Sequence, residues 1–215
     1  MASRARIVYA FTMASDDVAA RVAKWSPLVF AVRDALAATP GGRLGCIEAV
    51  GALVDAATVL GLGTLRPLVV RAFIYNQALV QRVGDLNAPD AADRIRHWTK
   101  EDERCAYVLL GIGDVPAGDW AGHLVAVDDE PEMSIILDPT IEQVNQPAHN
   151  IVLSPLAVPI QAVHLQGRGG YRFNANTCVI EGKAFPDERS FEQTPAWRER
   201  TALRDYVVRR IRDGR

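Results

Sequence analysis

GGRLGCIEAVGALVDAATVLGLG, residues 41–63, decides the fold. From Cys46 to Leu60 the polar side chains are Glu48, Asp55 and Thr58, seven and then three residues apart. On a helix they fall in one narrow stripe, and the rest of the circumference is Ile, Ala, Val, Leu and Gly. A helix apolar nearly all round is one that a domain buries at its centre. Glycines at 41, 42 and 45 lead into it, and Gly61 and Gly63 end it. Cys46 therefore opens a buried helix. Unpaired N–H groups and the positive end of the helix dipole favour negative charge there. A thiol attacks carbonyl carbon as the thiolate, so the position suits a nucleophile, and the glycine-rich approach lets a substrate backbone come close. The same position suits a cysteine that packs as a small hydrophobe. The helix alone leaves both readings open.

Outward from this helix the pattern divides the chain. Ahead of it, residues 15–38 read as helix, with Ser15 as N-cap, Asp16 and Asp17 in the first turn, and a break or fresh start at Pro27. Behind it the period changes. RPLVVRAFIYN (66–76) is β-branched and aromatic and reads as a strand. Residues 77–104 are polar, a helix and loop with a start at Pro89–Asp90. CAYVLLGIG (105–113), WAGHLVAVD (120–128) and MSIILDPT (133–140) are further strands, and IQAVHLQ (160–166) and YRFNANTCVIEG (171–182) are weaker ones. The tail from Thr194 reads as a helix with Leu203, Tyr206, Val207 and Ile211 as its apolar stripe. Helices first, then a mostly antiparallel sheet, give an α+β class. One domain over 1–215 is expected, with an N-terminal helical segment (1–40) and an Arg-rich C-terminal helix (194–215).

The stretch WAGHLVAVDDEPEMSIILDPT (120–140) bears on the cysteine. A hairpin centred between Glu130 and Pro131 sets His123 directly opposite Asp138, close enough for a carboxylate to hold the imidazole. Parity then places His123, Val125 and Val127 on one face with Ile136 and Asp138, and Leu124 and Ala126 on the other with Ile135 and Leu137. Both faces are apolar, so the histidine and aspartate meet in the interior, as a satisfied buried pair or as part of a site.

A cysteine at a helix N-terminus followed by a histidine and an aspartate on neighbouring strands is the order of a Cys–His–Asp thiol enzyme. On LGCIEAVGALVDAATVLGLGTLRPLVV, AGHLVAV and IILDPT, the sequence resembles the transglutaminase-like and papain-like cysteine enzymes over residues 43–147. The resemblance implies a nucleophile helix packed on a mostly antiparallel sheet. It further implies Cys46 as nucleophile, His123 as general base and then acid, and Asp138 as the orienting carboxylate. The implied substrate is a peptide or carboxamide, and the implied outcome acyl transfer to water or to an amine. Hydrolysis is the expectation, because no acceptor-binding motif is visible. A non-catalytic binding or assembly module on the same fold is the alternative. Two departures stand out. Papain-like members carry an oxyanion-hole glutamine ahead of the cysteine, whereas the first glutamine here is Gln77; and Leu124 stands where many transglutaminase-like proteins have an aromatic residue.

The remaining composition excludes more than it adds. Hydrophobic residues are 49% and charged residues 23% of 215, with net charge −2, so no nucleic-acid or anionic-membrane partner is expected. Three cysteines without paired spacing read as free thiols of a reducing, cytoplasmic compartment. Arg4 and Arg6 precede the short apolar run IVYAFTMA (7–14), but without a clear cleavage site it is not read as a signal peptide. No membrane span is expected, since charges interrupt the longest apolar run. Cys105 follows acidic KEDER, and Cys178 lies in a strand pattern. Neither they nor His97 and His164 have a helix start or a CxxC, HxxxH or HExxH spacing, so no metal and no cofactor is expected. DDEPE reads as a solvated turn. WRERTALRDYVVRRIRDGR, with seven arginines against three acids, reads as an amphipathic surface helix.

Overall fold

The computed structural model describes residues 15–39, 45–111, 120, 122–167 and 169–214. The apolar run at 7–14 and most of the glycine-rich approach to Cys46 lie outside them.

Helix α1 (Asp16–Ala37) is capped by Ser15, whose side chain accepts from the Val18 N–H. It runs through Pro27 without the expected break. Buried residues on both sides of the proline, Trp25, Leu28, Val29 and Val32, hold the helix against the core and offset the lost backbone hydrogen bond. Helix α2 (Cys46–Val59) is the central helix anticipated from its composition: Ala49, Val50, Ala52, Leu53, Ala56 and Ala57 are fully buried. It ends in a Schellman turn. The Leu62 N–H reaches the Ala57 carbonyl (2.9 Å) and the Gly61 N–H reaches Thr58 (3.1 Å), with Gly61 at φ +68°.

Among the described residues seven strands follow: β1 (Arg66–Asn76), β2 (Tyr107–Leu110), β3 (His123–Asp128), β4 (Met133–Asp138), β5 (Leu156–Gln161), β6 (Tyr171–Ala175) and β7 (Cys178–Phe185). They form one nearly closed antiparallel sheet in the order β5-β4-β3-β1-β7-β6, with β2 also on β1. Between β1 and β2 lie α3 (Gln77–Val83) and α4 (Ala91–Glu101), where the sequence suggested a single helix and loop. Strand β5 begins earlier than IQAVHLQ indicated, and Ala162–Leu165 is a 3₁₀ turn. Pro159 is tolerated because β5 is an edge strand, paired with β4 alone. The tail is two helices, α5 (Pro195–Arg198) and α6 (Thr201–Arg212). Its buried stripe is Leu203, Val207 and Val208, while Tyr206 faces outward.

The sheet divides the core. Leu124, Ala126, Ile135 and Leu137 face α1, α2 and α6 in one apolar cluster. Val125, Val127 and Ile136 face the inside of the curled sheet with Leu68, Val70 and Ile74. Arg21 straps α1 to the β3–β4 hairpin, donating to the Asp128 side chain (2.9 Å) and to the Met133 carbonyl (2.8 Å). Trp25 Nε1 donates to the same Asp128 carboxylate (2.8 Å).

Two of the tail's arginines are also tied in. Arg200 pairs with Asp55 of α2 (2.9 Å) and lies over the Trp197 ring, and Arg210 pairs with Asp34 of α1 (3.3 Å). No helix among the described residues is long and apolar enough to cross a membrane.

Candidate active site

The pairing of β3 with β4 differs from the expected hairpin by two residues, a shift that preserves the faces. Ala126 pairs with Leu137, Val127 with Ile136 and Asp128 with Ile135. Extended, this register sets Thr140, and not Asp138, opposite His123. The turn is displaced because its acids are anchored: Asp128 is held by Arg21 and Trp25, and Asp129 by Arg66 (2.6 Å). DDEPE is thus partly held by cations instead of freely solvated. A two-residue shift keeps Asp138 on the face of His123 as its diagonal neighbour, still within reach of a long side chain. His123 Nε2 and Asp138 Oδ2 are 2.7 Å apart, with both side chains almost fully buried.

Each partner is held in turn. Asp138 Oδ1 accepts from the Thr140 N–H (2.9 Å) and from the Thr140 hydroxyl (3.2 Å). His123 opens β3 beside Val70 of β1. On the same side of β1, β2 ends at Leu110 opposite Ala72. Gly111 and His123 thus follow β2 and open β3 along the same edge of β1. Gly111 has φ +69°, and a Cβ there would lie 2.7 Å from both the His123 nitrogen and the Val70 carbonyl oxygen. Glycine is required on both counts, and its backbone packs directly behind that of the histidine.

Cys46 is the first residue of α2, as the sequence suggested, and is half-buried. The amides of Cys46, Ile47 and Glu48 precede the first intrahelical bond, from the Ala49 N–H to the Gly45 carbonyl (3.0 Å). The Cys46 side chain lies close enough to the His123 ring to favour its charged form. Burial alone would push the imidazole towards its neutral form. The Asp138 charge and hydrogen bond outweigh that, and Cys46 adds to them, raising the ring's pKa from 6.5 to about 10. Of the three side chains singled out in the sequence, His123 and Asp138 are joined directly, and Cys46 lies near the ring.

The other thiols do not join them. Cys105 and Cys178 are buried, and burial pushes both upward, in Cys105 with help from Asp102. Among the described residues no group of three or more His, Cys, Asp or Glu side chains is arranged to hold a metal.

Two polar neighbours were not anticipated. Thr140 was legible as the third residue of an Asp-Pro-Thr turn, a sequence that favours a side chain bonding its own backbone two residues on. Gln143, on the 3₁₀ turn Ile141–Val144, places Nε2 2.9 Å from His123 Nδ1. A glutamine was sought ahead of Cys46, whereas this one follows Asp138 by five residues. Tyr171 lies buried inside the sheet, its hydroxyl pushed well above the usual phenol range by burial and by Asp138.

Comparison with protein-family models, with curated proteins and with solved structures gives no match. The functional reading accordingly rests on the residues and their geometry.

Proposed function

We propose that the protein is a thiol-dependent acyl-transfer enzyme, similar in site and in helix-on-sheet plan to the transglutaminase-like and papain-like cysteine enzymes, and that it hydrolyses a peptide or carboxamide. One observation carries the reading: a buried histidine bonded through Nε2 to a buried carboxylate, with a cysteine at a helix N-terminus near enough to favour the charged form of the ring. A buried His–Asp pair alone would serve as a structural pair. A partly exposed cysteine near it is what a merely structural pair has no use for.

In the proposed reaction Cys46 gives its proton to His123, and the sulfur attacks the carbonyl carbon, forming a C–S bond as the C=O π pair moves onto oxygen. The oxyanion forms near the free amides of the first turn of α2. The C–N bond then breaks, and the leaving nitrogen takes the proton carried by His123. Asp138 stabilises the imidazolium in the first half and fixes the tautomer in the second. Water then adds to the thioester, giving its proton to His123, and the C–S bond breaks to release the acid. An amine in place of water would make the same site a transferase.

The non-catalytic alternative draws on the missing glutamine ahead of Cys46. An activated ester separates the two. Mixed with p-nitrophenyl acetate, the wild type is expected to release a burst of one nitrophenolate per chain and to carry one acetyl group on Cys46. The burst should vanish in Cys46→Ala and slow by about 10²–10⁴-fold in His123→Ala, the usual worth of a general base. Acetylation spread over lysines, with no Cys46-dependent burst, would favour the binding module.

A further inference from the structure

We propose that the outer face of β1 and β7 beside Cys46 is the substrate-binding surface, and that it selects an extended peptide carrying a side-chain carboxylate and an aromatic side chain two residues apart. The proposal rests on the thiol-enzyme reading above and deepens it by naming the substrate class.

The face begins where α2 begins. Val69 of β1 packs in one cluster with α2, Leu124 and Ala126. Alternation sends Arg71 and Phe73 to the same side, further along the strand. Helix α2 leads through a short turn into β1 and runs back along it, so its last residues lie at the Arg66 end and Cys46 at the other. Its 14 residues span about 21 Å, the length of about six strand residues, which brings Cys46 close to the level of Val70. Val70 is also the residue that His123 pairs with. Beyond that level Phe73 and its β2 partner Leu109 are 38% and 39% exposed, until Tyr75 passes into the cluster under α3 and α4. A groove of about 450 Å³ lies here, lined by Arg71, Phe73, Tyr75, Glu181, Lys183 and Phe185 among others.

The charges define the ligand. Arg71 and Lys183 are both exposed and stand directly opposite each other on adjacent strands, an arrangement in which like charges repel. Both are drawn over the Phe185 ring, the guanidinium at 4.8 Å and the ammonium at 5.8 Å from its centre. The acid between them and Phe73, Glu181, is held by Arg172 of β6 (3.0 Å). Glu188 feels Arg71 as the smallest of its influences, after its hydrogen bonds to Ser190. A carboxylate set between the two cations would bridge them and relieve the repulsion. Beside them the Phe73 ring, stacked on Tyr75 with centroids 5.9 Å apart, offers a flat apolar surface. Arg71 and Phe73 are two residues apart on one strand, about 6.8 Å, which matches the spacing of side chains on one side of an extended peptide.

The test is an NMR titration of the full chain with a peptide blocked at both ends, acetyl-Glu-Ala-Phe-amide. It should bind at least about tenfold more tightly than acetyl-Gln-Ala-Phe-amide, and at saturation it should slow alkylation of Cys46 by iodoacetamide. Lys183→Met and Arg71→Met should each remove most of the preference for the acid. Both variants should unfold at the wild-type temperature or above, because one of two opposed like charges is gone, so lost selectivity is not lost fold. Phe73→Ser should weaken both peptides alike. Equal affinity for the two peptides, or a preference untouched by both Met variants, would overturn the proposal. So would displacement of the peptide by an equimolar single-stranded oligothymidylate, which would assign the face to nucleic acid. Selective binding that leaves Cys46 alkylation unchanged would overturn its role as a substrate surface. The thiol-enzyme reading fails separately, through absence of the Cys46-dependent nitrophenolate burst, which neither Met variant should alter.

Discussion

Asp138→Ala is expected to destabilise the protein by about 3–5 kcal/mol, the range for breaking a buried pair and leaving its partner uncompensated. Three donors lose their acceptor at once: His123 Nε2, the Thr140 N–H and the Thr140 hydroxyl. The pH dependence should change sign as well. In the wild type the ring's pKa is raised from 6.5 to about 10, so the stability it contributes is complete below pH 6.5 and is lost as the pH rises towards 10. Without Asp138 the largest influence left is burial, which pulls the pKa below 6.5. The variant should then lose stability on acidification, because a buried neutral histidine must be charged. Urea unfolding of both proteins from pH 5 to pH 10 gives the two slopes. Parallel curves would mean that the pair is not coupled to folding.

The second large effect lies far from the sulfur. Trp25→Ala should cost about 3–5 kcal/mol, as removal of a fully buried aromatic does. Trp25 fills the cluster between α1, α2 and the sheet, and its Nε1 completes the anchorage of Asp128 alongside Arg21. Loss of the ring therefore opens a cavity and loosens the turn that sets the β3–β4 register. This bears on whether α1 is a removable pro-segment or part of the framework. Val22, Trp25, Leu28, Val29 and Val32 share one cluster with Ala49, Leu53, Leu124 and Leu137, so α1 belongs to the framework. A variant within about 1 kcal/mol of wild type by chemical denaturation would contradict that.

Much of the fold was legible because its signals are one-dimensional. A run between glycines that is apolar nearly all round reads as a central helix, and alternation on 123–127 and 135–138 assigns each residue to a face whatever the exact register. The features that were not legible depend on partners distant in sequence. Pro27 reads as a break until the buried residues around it are known to be clamped. Pro155 and Pro159 disguise β5 until it is seen to be an edge strand. The hairpin register was misjudged by two residues because Arg21, Trp25 and Arg66, far away in the chain, hold the acids of its turn. The His123–Asp138 contact survived that error, since a shift of two preserves parity and a histidine reaches its diagonal neighbour. Gln143 had no signal of its own. Nothing in IEQV distinguishes it from a solvated turn until the 3₁₀ geometry carries it over the ring.

The most direct test of the central claim is the rate of Cys46 alkylation by iodoacetamide as a function of pH, read by peptide mapping so that Cys105 and Cys178 serve as internal controls. At pH 6 Cys46 is expected to react at least about tenfold faster than either buried thiol, and to lose most of that advantage in His123→Ala. Identical Cys46 profiles in wild type and His123→Ala would contradict the account and leave a buried His–Asp pair with no thiol to serve.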